Sequence, residues 1–133
     1  MIVADANLLV YLLLPGEHSE AAEEVLERDA TWCAPLLWRS EFRNVLAVYL
    51  GKELLTSEAA LRAFREAERL VDGREFAVDT AAVLELIEES SCSAYDCEYV
   101  ALARELEVPV VTSDREMLEA FPGTAVDMET FDG

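Results

Sequence analysis

Two apolar runs that each lead to an aspartate constrain this chain more than any other feature. Ile2-Val3-Ala4 runs into Asp5, and Val108 to Thr112 runs through Ser113 into Asp114. Apolar runs this short, bounded by turn-forming residues, read as strands buried on both faces, so each aspartate falls just past a strand's carboxyl end. A carboxylate beside such a run needs a partner, a cation or access to water, because an unpaired buried charge is strongly unfavourable.

The segments between the two runs read as helices and further strands. Asn7 to Leu14 has a helical pattern that Pro15-Gly16 stops, and a second helix spans Ser19 to Arg28. A short strand near Thr31 to Ala34 precedes Pro35, which is expected to open a long helix running to Gly51. Thr56 or Ser57 caps a helix to about Val71, Phe76-Ala77-Val78 is extended, Asp79 caps a helix to Glu89, and Ser93 caps the next. A helix over Arg115 to Ala120 and a last strand at Thr124-Ala125-Val126 follow. Alternating strands and helices predict an α/β fold, a three-layer sandwich with a central, mainly parallel sheet flanked by helices. A length of 133 residues with 53 % hydrophobic content suits one core, so residues 1–133 are expected to form a single domain.

Composition excludes several function classes. With 28 Asp and Glu against 10 Lys and Arg, the formal charge of −18 repels nucleic acid, anionic membranes and phosphorylated ligands unless something overcomes it locally. Cys33, Cys92 and Cys97, with the single His18, make no four-ligand zinc pattern and read as reduced thiols. His18 itself, in a Gly-Glu-His-Ser turn, reads as exposed. The opening apolar run is too short to span a bilayer and has no basic segment before it, so a cytoplasmic protein without membrane attachment is expected.

Four acidic positions stand out. Asp5 and Asp114 lie beyond the carboxyl ends of parallel strands, where open α/β sheets bind ligands. Glu41 falls on the helical stripe Leu37, Glu41, Val45, Val48, and Asp96 on the stripe Asp96, Tyr99, Val100, Ala103, each where helical spacing calls for an apolar residue. Each has a plain alternative: a turn for Asp5, a capping box with Ser93 for Asp96, a helix cap for Asp114, an arginine partner for Glu41. Together, four converging anions would repel unless a cation held them. Oxygen-only ligation points to Mg²⁺ or Mn²⁺, which bind a few carboxylates plus substrate phosphate oxygens and suit phosphodiester chemistry.

Asp5-Ala6-Asn7-Leu8-Leu9 after the first strand, Glu41 in WRSEFRNVL, Ser93-Ala94-Tyr95-Asp96 with Tyr99 to Ala103, and Val110 to Asp114 together resemble the ordered motifs of PIN-domain ribonucleases, and most nearly the short VapC-type toxins of toxin–antitoxin pairs. The resemblance covers nearly the whole chain. It implies a metal-dependent endoribonuclease whose acidic quartet is Asp5, Glu41, Asp96 and Asp114, with Thr112 or Ser113 as the hydroxyl position before the last aspartate and Asn7 orienting the first. It also implies an RNA substrate, an antitoxin partner and a homodimer. Arg39, Arg43 and Arg115 are candidate phosphate contacts, with surface pairing to glutamates as the alternative. Trp38, Phe42, Leu46 and Tyr49 read as core or dimer interface. Two other enzyme classes fit poorly: a haloacid-dehalogenase-like phosphatase needs a second aspartate where Asn7 stands, and a receiver domain needs a lysine near the phosphate, whereas Lys52 ends a helix. A weakly active or inactive PIN-like domain that binds protein or RNA is the remaining alternative.

Overall fold

The computed structural model describes residues 1–133. Its strands are β1 (Ile2–Ala4), β2 (Trp32–Pro35), β3 (Glu75–Phe76), β4 (Val110–Thr112) and β5 (Ala125–Asp127). Its helices are α1 (Ala6–Leu13), α2 (Ser19–Arg28), α3 (Trp38–Gly51), α4 (Ser57–Leu70), α5 (Thr80–Glu89), α6 (Ala94–Leu106) and α7 (Arg115–Ala120). The strands form one sheet in the order β3-β2-β1-β4-β5, and every pairing is parallel.

The three layers follow from alternation along the strands, which sends successive side chains to opposite faces. Ile2, Ala4, Trp32, Ala34 and Val111 pack on one face with residues of α1 to α4, such as Leu8, Ala22, Phe42 and Phe64. Val3, Cys33, Val110 and Ala125 pack on the other with residues of α5 to α7, such as Leu86, Leu102 and Met117. Covering both faces is what makes the strands apolar throughout. No helix is long and apolar enough to cross a membrane.

Helix boundaries follow the capping chemistry. Thr56, Asp79, Ser93 and Asp114 each accept a backbone N–H from the first turn of the helix they begin. Pro35 departs from expectation: it is the last residue of β2, and α3 starts three residues later at Trp38. The amides on either side of it, Ala34 and Leu36, donate to the carbonyls of Arg74 and Phe76, so proline occupies a position between the two bonds that tie this edge of the sheet together.

The chain runs from β1 outward through β2 to β3, then returns to the other side of β1 for β4 and β5. The order therefore reverses between β1 and β4, and the chain leaves these two strands into Asp5 and Asp114. A crevice opens at such a reversal because the two connections depart in opposite directions.

On α3, Trp38, Phe42 and Leu46 face the core. Trp38 stacks on Phe64 of α4 with ring centroids 5.2 Å apart, and Phe42 meets both rings edge-on at 6.0 and 5.9 Å. Phe42→Ala is expected to lower stability by about 3–5 kcal/mol, as a shift of the urea midpoint with unchanged slope. A loss below about 1 kcal/mol would show that this aromatic cluster does not anchor α3.

Candidate metal centre

The crevice is a cleft of about 490 Å³ lined by Asp5, Glu41, Asp96 and Asp114 together with Asn7, Ser40, Asn44 and Tyr95. All four acidic positions singled out in the sequence thus open on one space. No Lys, Arg or His lines it, and none of the four carboxylates forms an ion pair.

Each carboxylate reaches the cleft by a local rule. Asp5 follows β1 and begins α1 without capping it; its side chain accepts a hydrogen bond from Thr112 Oγ1 at 2.7 Å instead. Thr112 is fully buried, and its oxygen in turn accepts the backbone N–H of Asp114 at 3.0 Å, so one hydroxyl ties the two strand ends together. Asp114 uses Oδ1 to cap α7, accepting from the amides of Glu116 and Met117. Glu41 accepts from the Tyr99 hydroxyl at 2.6 Å, a bond joining α3 to α6. Asp96 gives its backbone amide to Ser93, but its carboxylate makes no hydrogen bond back, so only half of a capping box forms.

Asp5, Glu41 and Asp114 are therefore each fixed through one oxygen, leaving the second without a protein partner, and both Asp96 oxygens are free. Since no buried side-chain oxygen lacks a hydrogen bond, those second oxygens are accessible from the cleft. This is the arrangement a ligand set requires: orientation from the protein and a lone pair left over.

The electrostatics match the geometry. Burial, reinforced by the charges of Glu41, Asp96 and Asp114, pushes Asp5 up to about 7 despite the opposing Thr112 hydrogen bond. Burial also raises Glu41, with Glu98 adding to it, and raises Asp96, with Asp114 the next cause. Tyr99, raised by burial and by Glu41, stays protonated and keeps donating. Three of the four carboxylates are thus less acidic than usual, with burial the first cause in each.

The ligand types fit a hard divalent ion, which prefers carboxylate oxygen and retains several waters. The oxygens of the quartet are splayed rather than clustered. The tightest grouping of ligand atoms, within 4.8 Å of one another, is instead Cys92, Asp96 and Glu116. Burial raises the Cys92 thiol, which as a neutral, soft donor suits such an ion poorly.

Several sequence expectations need correction. The stripe Leu37, Glu41, Val45 forms the cleft wall, with Leu37 and Val45 also packing against the core behind it, and Val48 continues it into solvent at 45 % exposure. Asn7 lines the cleft, but the Asp5 carboxylate is oriented by Thr112, while Ser113 faces Tyr11 at 3.3 Å. Arg39 takes the surface-pairing alternative: Glu75 grips it through two bonds, at 2.7 and 3.0 Å, and Glu68 through a third at 2.8 Å. Arg43 lies over the Phe64 ring at 5.1 Å, facing α4 and away from the cleft. Arg115 stays exposed beside Asp114, 3.9 Å from Asp127. Ser40 and Asn44 escaped sequence reading, although Leu37, Ser40, Glu41 and Asn44 follow the i, i+3, i+4, i+7 spacing of one helix face.

Asp5→Asn keeps an oxygen for Thr112 and removes the charge. Because Asp5 titrates at about 7 in the folded protein against an ordinary 3.8, the native state holds the extra proton between those values. The stability that this one group contributes is therefore full below the ordinary value and is lost as pH rises through about 7. In EDTA the native chain is expected to lose stability from about pH 5 to 8, and Asp5→Asn to flatten that slope and gain about 1–2 kcal/mol at the upper end. Urea titrations across that range check both, and a less stable Asp5→Asn at about pH 8 would make this carboxylate a structural partner.

Comparison with known proteins agrees with this architecture. The PIN domain family profile matches residues 2–121. Ribonuclease VapC3 of Pyrobaculum aerophilum is 30 % identical, the alignment covering 91 % of this chain and 95 % of that protein. Among solved structures, FitAcB from Neisseria gonorrhoeae superposes with a TM-score of 0.72 at 18 % identity, over 98 % of this chain and 100 % of the other. A toxin–antitoxin complex from Klebsiella pneumoniae superposes with a TM-score of 0.68 at 16 % identity, over 96 % and 98 %. With its sheet order, its strand-end aspartates and a family match over most of its length, this chain belongs to the PIN domain family.

Proposed function

We propose that this chain is a Mg²⁺- or Mn²⁺-dependent endoribonuclease and the toxin of a toxin–antitoxin pair, acting in the cytoplasm as a homodimer. The observation that carries the reading is a cleft with four carboxylates and no cationic side chain. The ribonuclease named among its relatives and the toxin–antitoxin complex among its structural neighbours support the substrate class and the antitoxin partner.

In this reading Asp5, Glu41, Asp96 and Asp114 hold the ion. When bound, the ion supplies Lewis acidity toward a phosphate and an attacking water. The chain does the positioning: Thr112 fixes Asp5, Tyr99 fixes Glu41, and the first turn of α7 fixes Asp114. Asn7, Ser40 and Asn44 offer neutral donors and acceptors to the water and the non-bridging phosphate oxygens. Of the three arginines considered, Arg115 is the one next to the cleft, exposed and only loosely paired with Asp127 at 3.9 Å, and so the one placed to meet a backbone phosphate at the rim.

The test is cleavage of a transcript pool in Mg²⁺, in Mn²⁺ and in EDTA, with the new ends mapped. Cutting is expected only with the divalent ion. Glu41→Gln and Asp96→Asn are expected to lower the rate at least ~100-fold and to abolish the rise in melting temperature that the ion causes in the native chain. RNA binding without cutting in either ion would favour the non-catalytic binding module.

A further inference from the structure

Outside the acidic cleft, the structure gathers three aromatic rings around one hollow. Tyr11 of α1, His18 of the loop that follows and Tyr49 of α3 line a space of about 200 Å³, with Leu14, Pro15 and Glu17 completing its wall. The Tyr11 and His18 rings pack with centroids 4.6 Å apart, tilted by 43°. His18, expected from its turn to be merely exposed, is in fact held against Tyr11 with 39 % of its side chain open.

The hollow continues the acidic cleft along two helices at once. Asn7 and Tyr11 are four residues apart on α1, and Val45 and Tyr49 are four apart on α3. In both pairs the first residue lines the cleft and the second lines the hollow, a step of about one helical turn, ~5–6 Å. A third link is the Tyr11 hydroxyl, 3.3 Å from the Ser113 hydroxyl, next to Asp114. An RNA strand whose phosphate sits in the cleft can therefore place a neighbouring base in the hollow.

The chemistry of the walls selects the base over the backbone. The hollow is smaller than the usual range for small-molecule pockets, and its aromatic lining suits one flat ring system. Glu17 and Glu129 flank the two His18 nitrogens at 3.5 and 3.7 Å. Carboxylates accept hydrogen bonds only, so they turn phosphate away and accept the N–H groups of a base edge. We propose that Tyr11, His18 and Tyr49 form a subsite for an unpaired nucleobase flanking the scissile phosphate, which makes them specificity-determining residues; the proposal rests on the nuclease reading above.

The test uses the full chain in Mg²⁺ and a single-stranded RNA that it cuts, intact or with an abasic residue at each of the two positions on either side of the cut. One abasic position is expected to raise KM roughly tenfold with kcat little changed, as loss of one stacked base would. His18→Ala and Tyr49→Ala, first confirmed as folded by thermal melts, are expected to raise KM for intact RNA by a similar factor and to be insensitive to that abasic position. Tyr49→Phe, which keeps the ring, should retain the native chain's sensitivity to that abasic position. Such non-additivity ties the base to these rings. Equal abasic effects in native and variant chains would overturn the subsite while leaving the nuclease reading intact. If the native chain cuts no RNA, the nuclease reading fails, and anisotropy of the same fluorescently labelled RNAs decides the subsite. Weaker binding with His18→Ala and with one abasic position supports it; no binding, or binding indifferent to both, overturns it.

Discussion

One buried hydroxyl joins the two halves of this structure. Thr112 ends β4, donates to the Asp5 carboxylate beyond β1 and accepts from the amide of Asp114. The parallel pairing of β1 with β4 brings those ends side by side, and the reversal of strand order opens the space in front of them. If β4 slipped by one residue, Val111 would stand where Thr112 stands and its core-facing side chains would exchange faces. The register that builds the core therefore also builds the site.

The site runs against the usual logic of stability. A fold of this size retains only a small margin of free energy, yet it places Asp5 with 6 % exposure beside three other carboxylates and provides no arginine to neutralise them. The chain does pair carboxylates elsewhere: Glu68 is held by Arg65 and Arg39, Glu75 by Arg39, and both are more acidic than ordinary glutamates as a result. The contrast within one molecule is informative. Ten basic residues serve 28 acidic ones, and none is spent on the cleft. Strain left unrelieved at a single place, while relieved nearby, marks where a ligand is to supply the missing charge.

Much of this was legible in the residues themselves. The layers follow from strand alternation, the helix starts from Thr56, Asp79, Ser93 and Asp114, and the position of the cleft from two aspartates after apolar runs. What escaped sequence reading depends on partners far apart in the chain. Arg39 looked available until Glu75, 36 residues on, was found gripping it, and the hydroxyl that orients Glu41 comes from Tyr99, 58 residues away. The choice between Thr112 and Ser113 turns on strand alternation, which sends one inward to Asp5 and the other toward Tyr11. Helical periodicity likewise identified the stripe through Glu41 but could not say whether it met the core or a cleft.

The central claim is that the four carboxylates form a site for divalent metal, and proton release on binding tests it most directly. Burial raises Asp5, Glu41 and Asp96, with repulsion from the other cleft carboxylates adding to it at Asp5 and Asp96, so an ion arriving near neutral pH must displace protons from the group. Calorimetric titration with Mn²⁺ in buffers of different ionisation enthalpy is predicted to show release of about one proton near pH 6 to 7, fading as pH rises above about 8. Binding without proton release at the lower pH, or no binding at all, would contradict it.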